Sequence, residues 1–372
     1  MIHDTGPMTM LDWAKIHEKR GFSVATVPLA ALSFLYGLGV RLRVKTHGRS
    51  RRQSLPGFVL SIGNLTVGGT GKTPAACMVA EWALKEGYRP AVLSRGYGGR
   101  HAKKVLEVSD EHGITATPVE SGDEPYLLAT RLRGVPVIIS KRRYQAGLLA
   151  REKHGTNFFI LDDGFQHLAL ERDLDLVFMD AASPFGNGHL LPWGPLREPV
   201  VHLNRADAFV FTRSKRGSAE SGHTLTGSLK KKFPGKPLFE SDHVPEKVIF
   251  PGRDKDYAPE FLNRKRVIAF AGIARPDDFR HTLTALGAEP VAFKTFPDHH
   301  PYTGAEIRHL NEEKDRLHAD CLVTTEKDWV RLKDLRVQHL DLAFLRITFE
   351  LLGQAEKFFS MIKEKARQGQ GP

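Results

Sequence analysis

The chain has 372 residues, 41% hydrophobic and 26% charged, with 54 Lys and Arg against 43 Asp and Glu for a formal charge of +11. That balance excludes a disordered chain and a polytopic membrane protein, and it leaves room for two cores. It also favours an anionic partner, whether phospholipid, phosphorylated substrate or nucleic acid. The two cysteines, Cys77 and Cys321, lie too far apart for a disulfide scaffold or zinc ribbon and fit a reducing compartment.

Residues 24–40, VATVPLAALSFLYGLGV, carry no charge. As a helix they would reach about 25 Å, short of the roughly 30 Å hydrocarbon core. Basic residues collar them: Lys15, Lys19 and Arg20 before, then Arg41, Arg43, Lys45, Arg49, Arg51 and Arg52. No small-residue cleavage site follows, which argues against a signal peptide. The segment reads as a helix contacting an anionic membrane surface, spanning it or lying in the interface, with a buried core helix as the alternative.

From Phe58 onward strands and helices alternate. GFVLSIG (57–63) predicts a buried strand and PAACMVAEWALKEG (74–87) a helix. Strands follow at 90–96, 135–140, 157–167, 174–180 and 206–213, with helices at 124–134 and 141–155. This is the pattern of a parallel sheet covered on both faces. A polar, Gly-, Ser- and Lys-rich stretch follows residue 214, and KVIF (247–250) reads as a strand leading into a connector. A second series of strands and helices begins near 266, and the chain ends on a strand at 342–350 and an amphipathic helix at 354–366. The expected organisation is an N-terminal helix and basic collar (1–55), a phosphate-loop α/β/α domain (56–245), a smaller α/β/α domain (246–340), and a final strand and helix (341–372).

GNLTVGGTGKTP supplies the chemistry. The usual phosphate loop, G-x-x-x-x-G-K-[ST], has a glycine where this chain has Thr66, but the strand, glycine turn, Gly-Lys-Thr and helix stand in order. Gly68, Gly69 and Gly71 let backbone N–H groups converge on phosphate, with Val67 and Thr70 completing the ATP-binding turn. Lys72 reaches the terminal phosphates and Thr73 offers its hydroxyl to Mg²⁺. Val67 stands where partitioning ATPases carry an extra lysine, which weakens that reading. Asp162 and Asp163 close an apolar strand, where an Mg²⁺-holding carboxylate belongs, although Asp-Asp-Gly is also good turn chemistry. Asp123, ahead of a helix, reads from position alone as its N-cap. His299 and His300 are adjacent, point in different directions, and so make no two-histidine metal site. Arg95 and Arg100 lie on a glycine-rich turn suited to anions, and Arg197 and Glu198 on a proline-rich loop.

GNLTVGGTGKTP, SRGYGG, GDEP, DDGFQH, LPWGPLREP and FPDHHPY, in that order from about Phe58 to Trp329, resemble the tetraacyldisaccharide 4′-kinase family of the lipid A pathway. Thr66 is part of that family's loop. The resemblance implies transfer of the ATP γ-phosphoryl to the 4′-hydroxyl of a tetraacylated glucosamine disaccharide 1-phosphate, at the cytoplasmic face of the inner membrane. It implies two α/β/α domains joined by a two-stranded linker, with the active site in the cleft between them. It also implies Asp123 as general base with help from His299, and Asp162 and Asp163 in the metal and phosphate region. Asn64, Arg95, Glu124, Arg142, Arg143 and Glu198 are candidates for substrate or phosphate contact. The alternatives are a soluble phosphate-loop kinase or synthetase for a small metabolite, and a nucleotide-dependent switch. The chain lacks the guanine-reading Asn/Thr-Lys-x-Asp signature, carries no nucleic-acid-binding module, and gives no sign of an obligate protein partner.

Overall fold

The computed structural model describes residues 17, 26–46, 52–101, 103–216, 227, 229–335, 337 and 339–369. Helix α1 (Val27–Thr46) leads into strand β1 (Phe58–Asn64), helix α2 (Lys72–Lys85) and strand β2 (Pro90–Ser94). Strand β3 (Leu106–Ser109), a single turn α3 (Pro118–Ser121), helix α4 (Asp123–Arg131), β4 (Val137–Ile139), α5 (Arg143–His154) and β5 (Phe158–Asp162) follow. Then come β6 (Leu174–Asp180), β7 (Ala208–Thr212), β8 (Leu238–Phe250) and the short β9 (Lys255–Tyr257). The last series is β10 (Arg266–Ala271), α6 (Pro276–Ala285), β11 (Glu289–Thr295), α7 (Gly304–Arg316), β12 (Cys321–Thr325), α8 (Glu326–Leu332), β13 (Leu342–Leu351) and α9 (Ala355–Gly369).

The strands form one sheet in the order β11-β10-β12-β13-β8-β7-β6-β1-β5-β2-β4-β3, with β9 beside β8. β1 lies centrally, parallel to β5 and β6, and all seven of its residues are buried. That explains its largely apolar character: helices or loops cover both faces, and only Ser61 and Asn64 bring polar side chains into it. α2 lays Ala75, Ala76, Val79, Ala80 and Ala83 on the sheet, small residues that let its backbone approach closely. α9 buries Phe358, Ile362 and Ala366, one turn apart, on the core face that α2 covers, where Phe359 stacks on Trp82 at 5.1 Å.

β8 and β13 pair antiparallel and join two series, β1–β7, parallel apart from the edge strand β3, and the parallel β10–β12. The expected boundary at 245/246 falls inside β8, which is a 13-residue strand and not the short KVIF strand the sequence suggested. Pro245 hid it. It sits where the β8–β13 register shifts, at Arg346/Ile347, and a bulge is where a strand tolerates a residue with no N–H. β3 was also missed; it is a four-residue edge strand antiparallel to β4, too short for a legible alternation.

α1 is docked along one stripe. Ser33 and Gly37 are its buried residues, the Ser33 hydroxyl donates to the Leu190 carbonyl at 2.8 Å, and Tyr36 donates to the Arg197 carbonyl at 2.9 Å. A Cβ at Gly37 would come within 2.8 Å of Leu190, so glycine permits the contact. Val27, Leu32, Phe34, Leu35, Leu38 and Leu42 remain exposed. By length and composition this helix could cross a membrane. Of the basic collar, Lys15, Lys19, Arg20, Arg49 and Arg51 lie outside the described residues.

Candidate active site

Both parallel series point the C-terminal ends of their strands at one cleft of about 1050 Å³. Ligands collect at such ends because the loops there are free of the sheet's own hydrogen bonding. The phosphate loop forms one wall. Asn64 donates its side-chain amide to the Thr66 carbonyl at 2.7 Å, and the Val67 N–H bonds to the Pro195 carbonyl at 2.8 Å. The start of the loop is therefore clipped to the proline-rich 191–199 segment. Neither Asn64 nor Thr66 lines the cleft, whereas residues 67–74 do. Asn64, expected among the substrate contacts, instead shapes the loop.

Gly68 and Gly71 have φ of 103° and 72°, a left-handed backbone that other residues adopt at a cost. A Cβ on Gly71 would also fall 1.9 Å from the His243 ring, while one on Gly68 or Gly69 would meet nothing. The open side of those two glycines is where an anion can approach the backbone. Gly71 caps α2, so the positive end of that helix faces the same space.

The two acids after β5 have different surroundings. Asp162 is buried, accepts a hydrogen bond from the Ser94 hydroxyl at 3.1 Å, and has its pKa raised to about 6 by burial, then by Glu124 and Asp163. Asp163, at φ 53°, is paired with Lys72 at 3.2 Å and with Arg197 at 2.7 Å. Burial works to raise its pKa, but those two cations hold it well below the usual carboxylate range. Lys72 thus makes its ion pair with Asp163, and acts on Asp162 only through its field. Thr73, Asp162 and Asp163 all line the cleft.

Arg95, Arg142 and Arg143 line it too. Arg143 is buried with Nη1 on the Ser140 carbonyl at 3.1 Å, and burial lowers its pKa to about 10. Glu198 is occupied within the fold: it accepts from His202 at 2.6 Å and Arg205 at 2.8 Å. Glu124 pairs with Lys327 at 3.2 Å, from the other wall.

Asp123 is not an N-cap. Gly122 caps α4, at φ 86° and with no room for a Cβ against the Tyr97 carbonyl, so Asp123 is the first helical residue. Its side chain is thereby free to reach the second series of strands and helices, where Oδ2 lies 2.9 Å from His299 Nδ1 and 3.4 Å from Arg331 Nε. His300, one residue on, turns away to Glu306 at 3.0 Å and stacks on Phe296. The divergence of the two histidines is as the sequence suggested.

The second wall holds residues that sequence reasoning missed. Asp328, fully buried, accepts from the Gly272 N–H at 3.0 Å, Tyr302 Oη at 2.9 Å, Arg331 at 2.7 Å and Thr325 Oγ1 at 2.6 Å. Arg331 also donates to the Gly272 carbonyl at 3.0 Å and the His300 carbonyl at 3.3 Å, which ties down the loop carrying His299. The signal was present: Thr325-x-x-Asp328 after an apolar strand is a helix-start signature. Asp180 was missed as well, though it ends the apolar β6 as Asp162 ends β5. It pairs with Arg213 at 2.7 Å and with Arg275, while Arg213 Nη2 donates to the Gly69 carbonyl of the phosphate loop at 2.9 Å. Among the described residues, no group of three or more His, Cys, Asp or Glu side chains is gathered for a metal.

Comparison with known proteins gives a consistent result. A family model for tetraacyldisaccharide-1-P 4′-kinase matches residues 25–367. The chain is 39% identical over 363 residues to a tetraacyldisaccharide 4′-kinase of Desulfatibacillum aliphaticivorans, covering 95% of each chain. It is 44% identical over 307 residues to that of Geobacter metallireducens, covering 82% of this chain and 88% of that one. A crystal structure of LpxK from Aquifex aeolicus, an "apo" form in complex with ATP, superposes with a TM-score of 0.73 at 32% identity, over 92% of this chain and 98% of that one. The glycine cradle, the acids beside it and the Asp123–His299 contact between the two series thus sit in a chain that belongs to the tetraacyldisaccharide-1-P 4′-kinase family.

Proposed function

We propose that the chain is an ATP-dependent lipid kinase that phosphorylates the 4′-hydroxyl of a tetraacylated glucosamine disaccharide 1-phosphate, the reaction for which its relatives are named. The observation that carries this reading is the 2.9 Å contact between Asp123 and His299, which pairs a carboxylate with an imidazole that lines the same cleft as the phosphate loop.

Lys72, the loop N–H groups and the start of α2 bind the phosphates of ATP and stabilise charge spreading over the transferring group. Asp162 and Thr73 fit Mg²⁺: both are hard oxygen donors, and Asp162 is a desolvated carboxylate that feels Lys72 but whose hydrogen bond is to the Ser94 hydroxyl. When bound, Mg²⁺ neutralises charge on the phosphate oxygens. Asp123 accepts the proton of the acceptor hydroxyl, whose oxygen forms the new bond to the γ-phosphorus as the bond to the β-phosphate oxygen breaks. His299 and Arg331 hold that carboxylate in place.

α1 brings the site to the lipid. A substrate with four acyl chains leaves a bilayer at a cost of about 0.8 kcal/mol per CH₂, so the enzyme must work at the surface. The helix touches the body from Ser33 to Arg43, Tyr36, Val40, Arg43 and Val44 line the cleft, and the opposite side exposes Phe34, Leu35 and Leu38. This arrangement favours a helix lying in the interface of the cytoplasmic leaflet over one surrounded by lipid.

The test is incubation with labelled ATP, Mg²⁺ and either the lipid disaccharide 1-phosphate or its deacylated analogue, in vesicles of anionic lipid. Label in the lipid alone is expected. Equal labelling of the soluble analogue, or undiminished activity after deletion of residues 1–45, would overturn the membrane part. No lipid phosphorylation at all would overturn the whole.

A further inference from the structure

We infer that Lys327 is a positioning residue that fixes the tautomer of His299. The inference rests on reading Asp123 and His299 as the proton-handling pair. Lys327 Nζ lies 3.4 Å from His299 Nε2, 3.2 Å from Glu124 and 3.7 Å from Asp298. The same Nε2 lies 3.9 Å from Asp298 Oδ2, beyond hydrogen-bond distance, so the ammonium is its nearer partner. An ammonium has three donors and no acceptor, and the ring nitrogen facing it accepts. Nε2 therefore presents its lone pair to Lys327, and the ring proton resides on Nδ1, which donates to Asp123 Oδ2 at 2.9 Å. The other tautomer would set an N–H against the ammonium and a lone pair against the carboxylate, two repulsions in place of two bonds.

The surroundings hold this arrangement. Lys327 lies in the first turn of α8, whose start is capped by the Thr325 hydroxyl on the Asp328 N–H at 3.1 Å. The backbone of His299 is in the left-handed region at φ 62°, with its N–H on the Gly272 carbonyl at 3.2 Å. Glu124 and Asp298 grip the ammonium from both walls. Lys327 and Arg331 stand one turn apart on α8, so they meet the pair from the same helix face, one at the imidazole and one at the carboxylate. The contacts of Asp123 with His299 and Arg331 both fall on Oδ2, which orients the carboxylate for its proton.

The experiment is steady-state kinetics of the full chain with ATP and the lipid disaccharide 1-phosphate, for Lys327→Met, Lys327→Arg, His299→Gln and the Lys327→Met/His299→Gln double variant. Loss of a charge-assisted hydrogen bond predicts a fall in kcat of roughly tenfold to a hundredfold for Lys327→Met, with the KM for ATP unchanged. Lys327→Arg retains more activity, and Lys327→Met costs nothing further once His299 is Gln. Additive losses in the double variant, or a loss carried by KM, would overturn the inference, because Lys327 would then be holding substrate phosphate or the fold. Normal turnover of Lys327→Met beside a slow His299→Gln would overturn the inference and leave the pair standing. Normal turnover of His299→Gln would overturn both.

Discussion

The two walls of the cleft are built by different means. The first wall makes its anion site from backbone: glycines without Cβ, N–H groups at the start of α2, and a loop clipped to residues 195–196. The second wall works through side chains gathered on one buried carboxylate, Asp328, with Arg331 carrying that order out to His299 and Asp123. A backbone cradle fails when a side chain is added, and a side-chain hub fails when one is removed. Substitutions of opposite kind should therefore damage the two walls.

The largest effect belongs to the residue on which the walls meet. Asp123→Ala is expected to lower kcat by about 10²–10⁴, the range for a general base, with the KM for ATP little changed. Turnover close to normal at saturating substrates would show that the proton leaves by another route. Next comes the hub. Asp328→Ala strands Arg331 and three further donors in a dry interior, so a loss of about 3–5 kcal/mol is expected, read from denaturant unfolding. A loss below about 1 kcal/mol would mean that the second wall does not depend on its carboxylate.

Gly71→Ala tests the first wall in the opposite sense, by adding a single methyl. The left-handed backbone costs a β-carbon about 1–2 kcal/mol, and the His243 ring occupies the space it needs. Removing the ring as well, in Gly71→Ala/His243→Ala, is expected to relieve the clash and leave the backbone cost. Gly69→Ala, in open space and without a positive φ, should fold normally and is the control. Equal melting temperatures for wild type and Gly71→Ala would show that the loop is not held in this form.

How much of this was legible in the sequence follows the same division. The backbone wall announces itself, because a strand, spaced glycines, Gly-Lys-Thr and a helix can be read along the chain. Asp162 could be found for the same reason, as an acid at the end of an apolar run. The second wall is assembled from residues far apart: Gly272, Tyr302, Thr325 and Arg331 meet on Asp328 only in three dimensions. Asp123 was misjudged on local rules, since a helix-start acid usually caps; the tight approach of Gly122 to Tyr97 gave the cap to glycine. Asn64 and Glu198 were placed in the right neighbourhood, and Glu198 lines the cleft; the hydrogen-bond partners of both lie within the fold, on Thr66, His202 and Arg205.

Histidines carry the contrast to its smallest expected effect. In the second wall His299 and His300 each face a carboxylate, Asp123 and Glu306. In the first wall His167 is set among arginines: burial, then Arg143, Arg172, Arg43 and Arg95, lower its pKa from the ordinary 6.5 to about 4. Between those values the unfolded chain binds a proton that the folded chain refuses, so acidification through this window favours unfolding, and above it His167 contributes no pH dependence. Asp162 acts in the opposite direction, because a carboxyl raised to about 6 favours the folded state when protonated, and that contribution is lost as pH rises to its folded value. Wild-type melting alone therefore mixes the two, and His167→Gln separates them. Its melting temperature should fall less than that of wild type between pH 7 and pH 5, while the difference between the two proteins stays constant above pH 7. Parallel curves across the whole range would show that the arginine side of the cleft leaves this imidazole free to take its proton.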